Sequence, residues 1–236
     1  MSVKFFLITL DRRREISERN ASIINNSIGE AIIVPGYDPS EITDQEFSDY
    51  STKFLSRYGV MPLLNQLACL RAHVGAMKAF LETSDQFCVI GEDDFEITDA
   101  KLIIDCLANY DPKDREVLNF GGFQGLPLES MRILDETSSV GRRHIRFVHM
   151  MALYCVNRGF AENYVRDVEC MGVNNDDWAS LQHIGLFDKI RIFPAIKHGA
   201  HQSILDPAAS RGYADRILKL KVLAHNLCNW RLRAPN

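Results

Sequence analysis

The chain has 236 residues, 46% hydrophobic and 25% charged, with 27 Lys+Arg against 31 Asp+Glu and a formal net charge of −4. This is a globular composition, at a length that suits one large domain with at most a small appendage. The acidic balance excludes a broadly basic nucleic-acid-binding surface, because duplex affinity comes from Lys and Arg neutralising phosphates. The average conceals a split: residues 216–236 contain five Lys/Arg and no acid, which leaves 22 basic against 31 acidic residues, or −9, on the first 215.

The six cysteines, Cys69, Cys88, Cys106, Cys155, Cys170 and Cys228, include no C-x-x-C pair. Neither zinc-site spacing nor the disulfide framework of a small secreted domain is present, so buried reduced thiols are expected. The N-terminal apolar run is only six residues, short of a signal h-region of about 7–15. Nothing approaches the ~20 apolar residues of a membrane span. The expected location is cytoplasmic.

In chain order, Val3 to Leu10 is β-rich and ends at Asp11-Arg12-Arg13-Arg14, and Glu15 to Asn26 follows as a polar helix. Ala31 to Val34 is a short strand closed by Pro35-Gly36. Residues 37–60 are polar and Tyr/Ser/Asp-rich and predict an irregular or short-helical excursion. Leu67, Leu70, Val74, Met77 and Leu81 recur at spacings of 3 and 4, which marks an amphipathic helix starting near Leu63. A buried strand, Phe87 to Ile90, then runs into Gly91-Glu92-Asp93-Asp94. A helix from Asp99 to Asn109 and a strand from Glu116 to Phe120 come next, the strand ending at Gly121-Gly122. Residues 123–143 are loop-like, and Ile145 to Val156 is β-compatible. Asn157 can cap a helix through Val165, Asn174-Asn175-Asp176-Asp177 can cap another, and Ile190 to Ala195 is a last strand. Strands alternating with helices predict an α/β fold with a mostly parallel sheet, in which ligands bind at the carboxyl ends of strands.

The strongest chemical signal is the triplet Glu92-Asp93-Asp94 where a buried strand leaves the sheet. Adjacent carboxylates repel one another and resist desolvation, so they call for a cation or a solvated turn. Their hard oxygens suit Mn²⁺ or Mg²⁺, ions that bridge nucleotide phosphates. Arg12, Arg13 and Arg14 are diphosphate contacts or solvated surface. His198 and His201 are late metal ligands or an exposed loop pair. Gly121-Gly122 allow close backbone approach to a sugar or form a tight turn, with Gln124 beside them.

The stretch LACLRAHVGAMKAFLETSDQFCVIGEDDFE, Leu67 to Glu96, resembles the signature of glycosyltransferase family 25, the lipooligosaccharide and procollagen galactosyltransferase group. Cys69, His73, Glu92, Asp93 and Asp94 match it in order and spacing, whereas Ala68 and Ala72 stand where the family shows Gly and Ser. Phe6 to Arg13, with Arg19 downstream, is similar to the family's opening Ile-Asn-Leu-Asp-Arg strand, with Thr9 in place of Asn. Ala152 to Ala161, Asn175 to Trp178 and Phe193 to Ser203 resemble three later family elements in the same order.

This resemblance implies a single Rossmann-like domain of the GT-A type over residues 1–215, using a UDP-hexose donor. The activity implied is inverting hexosyl transfer, with UDP-galactose the expected donor and a lipooligosaccharide or other glycan, lipid-linked or free, the acceptor. Thr9, Leu10, Asp11, Arg12, Arg19, His73, Glu92 and Asp93 are the expected donor contacts, and Gly121, Gly122 and Gln124 the acceptor contacts. The divalent metal, Mn²⁺ or Mg²⁺, falls to Asp94 and Glu92, with His198 and His201 as further ligands. Inversion in one displacement needs a base on the acceptor hydroxyl; Asp176 and Asp177 are the candidates, and each also suits a helix cap. In residues 216–236, Leu220, Leu223, Leu227 and Trp230 form an apolar stripe that either packs on the domain or rests on the inner face of an anionic membrane. The alternative function is a nucleotide-sugar-binding module of the same fold without transfer activity. A nucleotidyl- or phosphotransferase using the same carboxylates is disfavoured, since no Gly-x-x-x-x-Gly-Lys-Ser/Thr loop occurs.

Overall fold

The computed structural model describes residues 2–121, 145, 148 and 151–198. Strand β1 (Lys4–Thr9), helix α1 (Arg14–Ser27) and strand β2 (Glu30–Pro35) open the chain, followed by α2 (Asp44–Tyr58) and α3 (Leu64–Leu81). Strands β3 (Phe87–Gly91) and β4 (Phe95–Ile97), helix α4 (Ala100–Ala108) and strand β5 (Glu116–Asn119) come next. Strand β6 (Leu153–Asn157), helices α5 (Arg158–Met171) and α6 (Trp178–His183), and strands β7 (Lys189–Ile192) and β8 (Ile196–His198) complete it.

The central sheet has the order β2-β1-β3-β6-β5-β7. The β1/β2, β1/β3 and β5/β7 pairs are parallel, and β6 runs antiparallel to both neighbours. The expected mostly parallel α/β sheet is therefore present, with one reversed strand in its middle. A separate two-stranded ribbon pairs β4 with β8, Phe95 opposite His198.

The period-2 alternation of the strands divides the core in two. Phe6, Ile8, Cys88, Ile90, Tyr154 and Val156 face one layer with residues of α2, α3, α5 and α6. Phe5, Leu7, Val89, Leu153 and Cys155 face the other, with Ala21 and Ile24 of α1 and Ile103 and Leu107 of α4. Burial on both faces makes these strands near-continuous apolar runs, as expected of parallel sheets under helices.

Several elements differ from the sequence expectation: of the described residues in the β-compatible run Ile145 to Val156 only those from Leu153 onward form strand, and β4 follows the acidic triplet where no strand is expected. Residues 44–58 form the full helix α2 rather than an irregular excursion. Phe47, Tyr50, Phe54 and Tyr58, spaced 3, 4 and 4, turn their rings inward, and Tyr50, Phe54 and Tyr58 are buried. A Thr43/Glu46 capping box starts the helix, and Gly59 ends it in the left-handed region at φ 67°. The expected last strand over 190–195 is instead β7, a break, and β8.

Helix α3 is nearly surrounded. Besides the predicted stripe, it buries Ala68, Ala72, His73, Ala76 and Phe80 between the sheet and its helical neighbours. Arg71 fixes its outer side with ion pairs to Glu46 of α2 and Glu169 of α5, both at 2.8 Å. Among the described residues no helix is long and apolar enough to cross a membrane. The expected tail element, 216–236, lies outside the described residues.

Candidate active site

The chain returns from β2 past β1 to place β3 on the opposite side, so β1 and β3 flank a point where the strand order reverses. The carboxyl ends of such strands form a crevice in open α/β sheets. Here a cleft opens, lined by Thr9, Leu10, Arg13, His73 and the triplet Glu92, Asp93 and Asp94, with Tyr37, Cys69 and Ala72 completing much of its wall.

Close packing fixes where the triplet leaves the sheet. A Cβ on Gly91 would lie 2.8 Å from Leu153 Cδ1 and 2.9 Å from Phe95 Cε1, so the last residue of β3 has no room for a side chain. The Glu92 backbone N–H donates to the Ala152 carbonyl at 2.9 Å, and Asn20 of α1 donates to the Phe95 carbonyl at 3.1 Å. The loop carrying the acids is thus tied at both ends.

The three acids have separate tasks. Asp93 is buried and accepts from Arg13 at 3.0 Å and from Thr9 Oγ1 at 3.3 Å. Burial pushes its carboxyl up, while the hydrogen bond and charge of Arg13 pull the other way. Glu92 accepts from His73 Nε2 at 3.0 Å and from the Cys69 thiol at 3.5 Å. A carboxylate only accepts, so Nε2 carries a proton, and Nδ1 shares a hydrogen bond with the Tyr154 hydroxyl at 2.8 Å. Asp94 lines the same cavity. Glu92 and Asp94 are therefore the hard-oxygen donors facing the cavity beside an Asp93 already committed to Arg13.

The structure separates the two base candidates. Asp177 is buried and caps α6: its carboxylate accepts from the Ser180 backbone N–H at 3.2 Å, from Ser180 Oγ at 2.5 Å and from the Tyr58 hydroxyl at 3.0 Å. Asp176 instead lies within electrostatic range of Glu92, His73 and Asp94, outside the residues that line the cleft, and accepts from the Met151 backbone N–H. Burial foremost, then the Glu92 charge, pushes its carboxyl up to about 6. Next to it, the Tyr164 hydroxyl donates to Asn175 Oδ1, and Asn175 Nδ2 reaches Cys69 Sγ at 3.5 Å.

Of the other expected contacts, Thr9 and Leu10 line the cavity, but Asp11, Arg12 and Arg19 are exposed and lie outside its lining. A 3-10 turn over Asp11–Arg13 directs Arg13 inward in place of Arg12. Gly121 lies two residues beyond β5 and donates its N–H to Asn119 Oδ1 at 2.8 Å. The backbone of His198 closes β8. Gly122, Gln124 and His201 lie outside the described residues. Sequence reasoning passed over Tyr154, Asn175 and Tyr37. Tyr154 stands in an apolar strand and Asn175 in a capping run, and neither carries a local signal of a site.

No family model and no curated protein matches the chain. Among solved structures it is similar to one described as the inositol-1-phosphate CTP transferase from T. maritima, at 10% identity and a TM-score of 0.41, covering 94% of this chain and 96% of that one.

Proposed function

We propose that the protein is an inverting, metal-assisted hexosyltransferase that moves a sugar, galactose from UDP-galactose, onto a hydroxyl of a glycan acceptor. The observation that carries this is the acidic pair Glu92 and Asp94 at the carboxyl ends of β1 and β3, with Arg13 in the same wall and Asp176 within electrostatic range of the pair. The resemblance of Leu67 to Glu96 to glycosyltransferase family 25 supports the same reading.

The donor set fits a hard divalent ion. Two carboxylates face the cavity, a third lies within electrostatic range of them, and the repulsion among them is what a cation relieves. Glu92 and Asp94 are the residues to hold Mn²⁺ or Mg²⁺, which supplies charge neutralisation at the departing diphosphate. Arg13, held in place by Asp93, adds a fixed positive charge to that wall. Tyr37, with the Arg71 guanidinium 5.4 Å from its ring centre, offers a flat face on which a base can stack.

In the transfer step the acceptor oxygen forms a bond to the anomeric carbon while the bond from that carbon to the β-phosphate oxygen breaks. Asp176 takes the acceptor's proton, and UDP departs with the bonding pair. A carboxyl raised to about 6 is still mostly ionised near neutral pH and is a stronger base than an ordinary aspartate.

A panel of nucleotide sugars tests this by thermal shift and by turnover with Mn²⁺. UDP-galactose is expected to stabilise the protein and to be consumed, EDTA and Asp94→Ala to stop turnover, and Asp176→Asn to stop it while donor binding persists. Full activity in Asp94→Ala with no effect of EDTA contradicts the metal role. Donor stabilisation without turnover for any acceptor leaves a binding module.

A further inference from the structure

We infer that Cys69, His73 and Glu92 form a second cation site, specific for a thiophilic divalent ion of the zinc class. The three donor atoms lie within 4.8 Å of one another. A tetrahedral ion with bonds of about 2.3 Å to sulfur, 2.1 Å to nitrogen and 2.0 Å to oxygen separates sulfur from oxygen by about 3.5 Å and nitrogen from oxygen by about 3.3 Å. The structure places Cys69 Sγ 3.5 Å and His73 Nε2 3.0 Å from Glu92 Oε1. Both distances to Glu92 Oε1 lie within a few tenths of an ångström of that geometry, and the sulfur–nitrogen separation is at most 4.8 Å.

The site is built on rigid elements. Cys69 and His73 are four residues apart on α3, hence on one face of the helix, and Glu92 directly follows β3. Their supports are also in place: the Tyr154 hydroxyl holds His73 Nδ1 at 2.8 Å, and Asn175 Nδ2 reaches Cys69 Sγ at 3.5 Å. Such partners orient the ligands of metal sites. On binding, the imidazole proton moves from Nε2 to Nδ1, where the Tyr154 oxygen accepts it, and Nε2 donates its lone pair to the ion. The thiol proton leaves for solvent as the sulfur–metal bond forms, so one proton is released per ion. The fourth position remains for water.

A thiolate and an imidazole select zinc-class ions over Mg²⁺ and Mn²⁺. Because Glu92 belongs to both sites, a bound zinc-class ion withdraws it from the donor-side metal and inhibits transfer. That consequence rests on the proposed function, but the binding does not.

Titration of the metal-free full-length protein with Co²⁺ reads the site directly. One equivalent is expected to give a near-ultraviolet thiolate-to-cobalt charge-transfer band and intense visible bands of tetrahedral cobalt. Cys69→Ser and His73→Gln, each checked for folding by circular dichroism, are expected to lose the charge-transfer band and the tetrahedral signature respectively. Tyr154→Phe should weaken Co²⁺ binding by about 10–100-fold, and Asp94→Asn should leave the band in place. Absence of the band in the unmodified protein, its persistence in Cys69→Ser, or its loss in Asp94→Asn overturns the inference. Failure of sugar transfer, with the cobalt spectrum as expected, overturns only the proposed function.

Discussion

Replacing Asp176 by Asn should stabilise the metal-free protein at neutral pH while removing its activity. The native carboxyl is raised from 3.8 to about 6, so the fold binds its proton more tightly than the unfolded chain does. The stability that goes with the protonated group is fully present below about pH 4 and is lost as pH rises through about 6. The full difference corresponds to about 3 kcal/mol at pH 7.5. Asp176 keeps some solvent contact, and screening there lowers the expected gain to roughly 1.5–3 kcal/mol. For a chain of this size that is an increase of roughly 3–10 °C in melting temperature. The assay is thermal unfolding of both proteins in EDTA from about pH 4 to pH 8. The curves should separate above about pH 6 and converge at the acid end, and Mn²⁺ should narrow the gap at pH 7.5 by stabilising the unmodified protein more. Equal melting temperatures at pH 7.5, or a gap that persists at about pH 4, would refute the premise that burying an ionised Asp176 beside other acids costs the fold stability.

Arg13→Ala leaves the buried Asp93 carboxylate without its ion-pair partner, a side-chain pair only 9% and 11% exposed. The expected cost is about 3–5 kcal/mol, seen as a fall in melting temperature of roughly 6–20 °C; a change within experimental error would show that Asp93 finds another partner. Asp177→Ala strips α6 of its cap and takes an acceptor from Tyr58 and Ser180. It should lower stability by about 1–3 kcal/mol, yet leave kcat per folded molecule within about twofold of the unmodified enzyme. Abolished kcat in well-folded Asp177→Ala would reverse the assignment of the two aspartates. Thr43→Ala removes the cap of α2, far from the chemistry, and should cost about 1 kcal/mol in denaturant unfolding with no change in turnover.

The sheet and most of its helices were legible because their signals are periodic: α3 carries apolar residues every third or fourth position, and the buried strands are short apolar runs. Helix α2 was not, since its apolar face is made of Phe47, Tyr50, Phe54 and Tyr58, and the hydroxyls and intervening Ser and Asp residues disguise the stripe as polar loop. The Thr43/Glu46 capping box was the signal that could have found it. That the acidic triplet would line a cleft at the sheet's edge was legible because it directly follows a buried strand. The division of labour within it was not, because it depends on Arg13 rather than Arg12 pointing inward, which a 3-10 turn decides. Likewise Asp176 and Asp177 are equivalent in sequence, and only the start of α6 determines which becomes the cap and which comes within electrostatic range of Glu92.

The most direct test of the central claim is turnover of UDP-galactose by the purified protein with Mn²⁺ and a glycan acceptor, following UDP release together with the anomeric configuration of the product by NMR. The account predicts stoichiometric release of UDP and a product of inverted, β configuration, both lost in Asp176→Asn and in EDTA. A retained α configuration, or undiminished transfer by Asp176→Asn, would contradict it.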